Sequence, residues 1–186
     1  LPKVKASVSI VNVVASVNLN QTLDIDSIVK AFPNVEYRPE RFPGAVFKLK
    51  KPRTANLIFN TGKMVCVGAT SERQVKSAVM KVVQELKDNG ILIVGSPSIR
   101  IVNIVASASL GGRIDVEKAV YILDRIMYEP EQFPGGVYRM EDPKVVILLY
   151  TNGKIVVTGA RTEDEVYEAV ESLQHGLEEE GLISYE

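Results

Sequence analysis

Residues 39–44 read PERFPG and residues 130–135 read PEQFPG, 91 positions apart. The Pro-Gly step fixes a tight local path. Each loop also carries a large apolar ring, Phe42 or Phe133, at its edge. A ring in such a loop has few neighbours to cover it. One such loop is an accident of sequence. Two in register imply a duplicated unit with a prong on each copy.

Working outward, a shift of 91 aligns the chain without a gap. Ile10-Val11-Asn12 meets Ile101-Val102-Asn103, and Val14-Ala15-Ser16 meets Val105-Ala106-Ser107. Tyr37 meets Tyr128, Pro52 meets Pro143, Gly62-Lys63 meets Gly153-Lys154, and Gly68-Ala69 meets Gly159-Ala160. Two copies follow, over residues 4–94 and 95–186. The period is longer than that of solenoid repeats, so each copy is a half-domain with its own elements. The seam, Val94-Gly95-Ser96-Pro97, is short. The expectation is therefore two halves packed as one rigid body.

Within a copy, residues 5–19 are rich in Val, Ile and Ser with period-2 character and read as a long strand. A short helix over residues 24–31 follows, capped by Thr22 or Asp24. Residues 34–37 read as a short strand leading into the first prong loop. Strands over 45–50, 55–60 and 63–67 come next, the last two joined by a tight turn at Asn60-Thr61-Gly62. Gly68-Ala69-Thr70 reads as a strand break. Ser71 caps a helix to about Asn89, stopped by Gly90. Val75, Ala78, Val79, Val82, Val83 and Leu86 make its apolar face, and Val166, Ala169, Val170, Leu173 and Leu177 make the face of its counterpart after Thr162. The expected fold class is α+β: about ten antiparallel strands and four helices.

The alternation assigns the two sides of the sheet. Val11, Val13, Ala15, Val17, Phe47, Leu49, Ile58, Met64 and Cys66 fall on the helix-covered side. Asn12, Val14, Ser16, Val46, Lys48, Leu57, Phe59, Lys63, Val65 and Val67 fall on the other. The second copy supplies Asn103, Val105, Ser107, Val137, Arg139, Leu148, Tyr150, Lys154, Val156 and Thr158. A wet face of an antiparallel sheet alternates with polar residues. This one is mostly apolar with Lys and Arg at its margins, so it calls for a ligand or partner. A broad apolar surface with a basic rim and two central amides fits a DNA minor groove. Base edges there offer few hydrogen-bonding groups, and phosphates lie on both flanks.

Composition narrows the alternatives. The net charge is −1, yet the charges are polarised. Residues 161–186 carry Arg161 against nine carboxylates, a local charge of −8. The first 160 residues keep 21 basic against 14 acidic, a charge of +7. Only a local surface needs to be basic to meet phosphate. No run approaches a membrane span, and Leu1-Pro2-Lys3-Val4-Lys5 lacks the apolar core of a signal peptide. The absent initiator Met reads as a trimmed start. A single cysteine, Cys66, fits an intracellular protein without disulfides. No metal or cofactor is expected. One His, one Cys and no facing carboxylates disfavour an enzyme. Gly62-Lys63 and Gly153-Lys154 lack the upstream glycine of a phosphate-binding loop and precede strands. The remaining competitor is a sheet module that binds an apolar ligand or a protein and has no DNA activity.

The residues also carry a resemblance. The gapless duplication, Asn12-Val13-Val14-Ala15 with Asn103-Ile104-Val105-Ala106, the two prong loops with their leading Tyr37 and Tyr128, and the stretches 61–69 and 152–160 resemble the core domain of the TATA-box-binding protein family. The acidic end resembles the archaeal branch. The resemblance implies a pseudo-twofold saddle with helices on its convex side and DNA on the concave sheet. It implies a transcription initiation factor that kinks A·T-rich promoter DNA by aromatic wedging, a mode for which this family is the standing illustration. By position, the intercalating rings fall on Phe42, Phe59, Phe133 and Tyr150; the usual Phe at the last is replaced by Tyr. Base-edge contacts fall on Asn12, Val14, Leu57, Val65, Val67, Asn103, Val105, Leu148, Val156 and Thr158. Phosphate contacts fall on Arg41, Lys48, Arg53, Lys63, Arg139, Lys144, Lys154 and Arg161. The implied partners are double-stranded promoter DNA, a transcription factor B of the IIB type at Glu129 and Glu131, and the RNA polymerase pre-initiation complex. Self-association through the concave face is a further expectation. The implied location is the cytoplasm, on the nucleoid, for an archaeal protein and the nucleus for a eukaryotic one.

Overall fold

The computed structural model describes residues 4–185. Leu1-Pro2-Lys3, part of the signal-peptide reading, and Glu186, part of the acidic count, lie outside the described residues. Contacts divide the chain into two units, Asn12–Val102 and Asn103–Glu186 with Leu1–Val11. The elements in chain order are β1 (Ser7–Asn18), α1 (Ile25–Ala31), β2 (Ala45–Lys50), β3 (Arg53–Ile58), β4 (Lys63–Ala69) and α2 (Glu72–Asp88). Then come β5 (Ser98–Ser109), β6 (Arg113–Ile114), α3 (Val116–Ile122), β7 (Ile126–Met127), β8 (Gly136–Met140), β9 (Val145–Leu149), β10 (Lys154–Ala160), α4 (Glu163–Glu179) and β11 (Ile183–Ser184). Among the described residues four of the strands pair in the first unit and five in the second, and β6 and β11 pair apart from these.

Nine of the about ten expected sheet strands form among the described residues. The missing one is the strand expected over 34–37. That segment makes a single bridge, Glu36 to Val46. Its counterpart is the two-residue strand β7. Pro33 stands where the second copy has Asp124, and its missing amide removes a donor just ahead of the segment.

In the unit Asn12–Val102 the strands run in the order β2-β3-β4-β1, all antiparallel. Helix α2 packs against β2, β3 and β4. Its whole expected stripe, Val75 to Leu86, is buried. Beneath it Val13, Ala15, Val17, Phe47, Leu49, Ile58, Met64 and Cys66 are buried too. Full burial of such a side chain contributes roughly 1.5–3 kcal/mol, so this interface dominates the unit's stability. Val11 departs from the expectation. It is 52% exposed, because it lies beyond the last β1–β4 partner, Val13 opposite Ala69. Burial pushes the Cys66 thiol up to about 11, so at neutral pH it is an inert apolar filler. Asn56 is fully buried where the second copy has Ile147. Its Nδ2 donates to Thr54 Oγ1 at 3.0 Å and Phe47 O at 3.3 Å, while its Oδ1 has no partner.

The second unit carries the order β5-β10-β9-β8-β7. Helix α4 lays Val166, Ala169, Val170, Leu173 and Leu177 on strand β10. Gln174 is buried beside them. Its Nε2 lies 3.2 Å from the carbonyls of Val4 and Leu110 and 2.9 Å from the Tyr185 hydroxyl. That hydroxyl donates to Glu178 at 2.6 Å, and burial together with this bond raises the tyrosine's pKa.

The caps explain where the helices begin. Asp24, not Thr22, caps α1 by accepting from Asp26 N–H at 3.1 Å. Ser71 accepts from Gln74 N–H at 3.0 Å, and Thr162 from Glu165 N–H at 3.1 Å. Each bond satisfies one of the orphan amides of a helix start. Ser71→Ala is expected to cost about 1 kcal/mol, measured as a fall in the urea midpoint at unchanged slope. A loss below a few tenths would show that the cap contributes nothing.

Candidate nucleic-acid interface

Register puts the expected residues of each unit on one side of its strands. In the unit Asn12–Val102, Val46 pairs with Leu57, Leu57 with Val65, and Val65 with Ser16. These four form a row of half-buried side chains opposite the α2 core. In the other unit the equivalent row is Val137, Leu148, Val156 and Ser107. A second row runs Lys48, Ala55, Val67 in one unit and Arg139, Val146, Thr158 in the other. All ten residues assigned to base edges are half-buried, the exposure of a face that one layer of helices leaves open.

The prong rings come together as expected. Phe42 and Phe59 meet edge to face with centroids 5.7 Å apart, and Phe133 meets Tyr150 at 6.0 Å. Phe42 is 40% exposed. Each pair rests on a glycine that the sequence reading treated only as turn chemistry. A Cβ on Gly44 would sit 2.7 Å from the Phe42 ring, and one on Gly135 would sit 2.9 Å from the Phe133 ring. Those distances are too short for carbon, so the absent side chain is what admits the ring. The signal was present, since Phe-Pro-Gly recurs intact in both copies.

The eight cations assigned to phosphates are all exposed, and none joins an ion pair among the described residues. Arg139, Lys144 and Arg161 line one groove of about 870 Å³ together with Arg125, which the sequence reading did not single out. Arg125 is ion-paired with Glu141. Glu129 and Glu131 are exposed in the second prong loop, where the Glu129 carbonyl accepts from Gln132 and Phe133. His175 pairs with Glu179 on the exposed side of α4. No cluster of metal-binding side chains occurs among the described residues. No described helix is long and apolar enough to cross a membrane.

The central amides are held alike in both units. Asn12 Oδ1 accepts from Gly68 N–H at 2.7 Å, and Asn103 Oδ1 accepts from Gly159 N–H at 2.7 Å. Gly68 and Gly159 lie inside β4 and β10, so the expected strand break is instead a register shift within a continuing strand.

Fold and face define a two-repeat α+β protein in which each repeat presents an open apolar sheet face edged by a ring pair. The family profile described as "Transcription factor TFIID (or TATA-binding protein, TBP)" matches residues 7–89 and 98–179. The chain belongs to the TATA-binding protein family. It is 50% identical over 173 residues to the TATA-box-binding protein of Pyrodictium occultum, covering 93% of this chain and 87% of that one. It is 48% identical over 169 residues to that of Sulfolobus acidocaldarius, covering 91% and 86%. Among solved structures, Methanococcus jannaschii TBP superposes with a TM-score of 0.86 at 40% identity, over 93% of this chain and 99% of that one.

Proposed function

We propose that this protein is a non-enzymatic transcription initiation factor that binds the minor groove of A·T-rich promoter DNA. The observation that carries the reading is the open face of each unit: apolar, free of carboxylates, and edged by an aromatic pair. Val14, Leu57, Val65, Val67 and their partners Val105, Leu148, Val156 and Thr158 would pack on base edges. Phe42 with Phe59 and Phe133 with Tyr150 would wedge between base steps and kink the duplex. Arg41, Lys48, Arg53, Lys63, Arg139, Lys144, Lys154 and Arg161 would neutralise phosphates. Bending costs deformation energy, which apolar burial and counterion release offset. The exposed Glu129 and Glu131 would meet a transcription factor B of the IIB type, which brings RNA polymerase. The domain reading, two half-domains over 4–94 and 95–186 acting as one body, belongs to the same proposal. So does a place on the nucleoid, since the relatives named above are archaeal.

The test is a fluorescence titration of an A·T-rich duplex against a G·C-rich one at two salt concentrations. Eight phosphate contacts give a log–log salt slope of roughly −7. The expected result is a clear A·T preference together with that steep slope. Equal, weak binding to both duplexes would favour a sheet that binds an apolar ligand or a protein instead.

A further inference from the structure

We infer that Arg125 is a further phosphate-binding cation of the second unit, and that Glu141 is the positioning residue that holds its guanidinium ready. The inference rests on the minor-groove reading above. It adds a residue pair that the first copy lacks, since Asn34 and Lys50 stand at the matching positions.

Register brings Arg125 to the rim of the open face. Strand β7 pairs Ile126 with Tyr138 and Met127 with Val137, so the next residue outward, Arg125, falls opposite Arg139. The Arg139 N–H donates to the Arg125 carbonyl at 3.0 Å, which fixes that placement. Arg125 therefore extends the row Arg139, Val146, Thr158 by one position. It lines the same groove of about 870 Å³ as Arg139 and Thr158. Its backbone is left-handed, at φ +62°. Asn20 is the other non-glycine residue with positive φ among the described residues, and asparagine tolerates a conformation in which arginine is strained. The pair that Arg125 makes with Glu141 is exposed and too weak to offset that strain. A strained residue held at the mouth of a groove points to a ligand.

The charges say which ligand. The groove gathers Arg125, Arg139, Lys144 and Arg161 against Glu141 and Glu165. Glu165 is engaged by the Arg161 N–H, which donates to it at 2.9 Å. At the positions matching these six the first copy has three cations, Lys48, Lys50 and Arg53, and no carboxylate. The second copy thus carries Glu141, which repels phosphate, where the first has Lys50, and it carries Arg125, which answers that charge, where the first has Asn34. Arg125 and Arg139 lie side by side, and like charges so placed repel each other until an anion joins them. A guanidinium has five donors in a planar fork. Glu141 engages Nη1, and the other donors stay available to a phosphate oxygen. Holding one edge of the fork reduces the freedom that the side chain loses on binding.

The test reads the salt dependence of binding to an A·T-rich duplex. Arg125→Asn introduces the residue that the first copy carries, and asparagine suits a left-handed backbone. It is expected to flatten the log–log slope by about 0.9 and to weaken binding roughly fivefold at about 0.1 M salt. The loss should be equal on A·T-rich and G·C-rich duplexes, because a phosphate carries no sequence. Arg73→Asn removes the same charge from the exposed side of α2 and is expected to leave the slope unchanged. The decisive arm repeats Arg125→Asn in a Glu141→Gln background. A phosphate contact costs the same slope there, whereas a cation that only neutralises Glu141 costs none once that charge is gone. An unchanged slope in that background would overturn the inference. Glu141→Ala compared with Glu141→Gln isolates the holding role, since both remove the charge and only Gln keeps an acceptor for Nη1. The Gln variant is expected to bind roughly threefold more tightly than the Ala variant, and equal affinities would overturn the role given to Glu141. A wild type with neither A·T preference nor a steep slope would sink the functional reading itself. A wild type with both, whose slope Arg125→Asn leaves intact, would sink this inference alone.

Discussion

Replacing both Phe42 and Phe133 by alanine is expected to remove most of the bend from a bound A·T-rich duplex, read as a fall in energy transfer between dyes at its ends. A ring that enters a base step replaces lost base stacking with its own surface. Unstacking costs a few kcal/mol per step, and alanine offers nothing in return. Truncating a buried aromatic anchor typically costs about 2 kcal/mol or more in binding, roughly a 30-fold loss of affinity for each ring. Folding is spared by comparison. Phe42 is already 40% exposed and touches Phe59 edge to face at 5.7 Å, a contact worth about 0.5–1.5 kcal/mol. The Phe133 end should respond less than the Phe42 end, because the Tyr150 hydroxyl must keep a partner or water wherever its ring goes. A double variant that binds and bends as wild type would show that the loops are anchors, not wedges.

Gly62→Ala and Gly153→Ala are expected to destabilise the fold by about 3 kcal/mol or more, combining a left-handed penalty of roughly 1–2 kcal/mol with overpacking of roughly 1–3. Gly62 has φ +85°, and a Cβ there would lie 1.7 Å from the Gln21 carbonyl oxygen. Gly153 has φ +88°, with a Cβ 1.9 Å from the Gly112 carbonyl oxygen. The obstacle is backbone, which cannot rotate aside as a side chain can. Each of these turns is also tied down: Leu19 N–H donates to Gly62 O at 2.9 Å, and Leu110 N–H donates to Gly153 O at 3.0 Å. Gly90 and Gly181 serve as controls. Their φ values are +86° and +65°, but nothing lies within 4 Å of a Cβ at either. Alanine there should cost only the conformational part. In thermal melts the first pair should lose roughly 10 °C and the control pair roughly 3 °C, at about 2–4 °C per kcal/mol for a chain of this size. Equal losses in the two pairs would rule out the steric account.

Much of this fold is legible in the sequence because its determinants are local. The stripe from Val75 to Leu86 follows helical spacing and is buried as a block. Ser71 and Thr162 announce their helices one residue ahead. The ring pairs are legible through the duplication, which places Phe59 and Tyr150 at matching ends of matching hairpins. What escapes the sequence depends on pairing at a distance. The bulges at Gly68 and Gly159 exist only relative to β1 and β5, so Gly-Ala reads as a strand end when β4 or β10 is taken alone. The β6–β11 pair joins Ile114 to Ile183 from far apart in the chain, and two-residue strands carry no periodic signal. Nor does alternation reveal Val11, whose exposure is set by where its partner strand stops.

The segments after the two long helices are fastened by different means. After α2, the Gln21 side chain donates to Leu92 O and accepts from Val94 N–H, each at 2.8 Å. At the matching position the second copy has Gly112, and the segment after α4 is held by main chain, through the β6–β11 pair and Asp115 N–H to Leu182 O at 2.9 Å, with the Tyr185 hydroxyl as an added side-chain tie to Gln174 and Glu178. The two copies therefore differ in mutational robustness. A single codon change at residue 21 undoes the side-chain clasp of the first. The main-chain fastening of the second survives most replacements of its side chains, so its sequence is freer to drift.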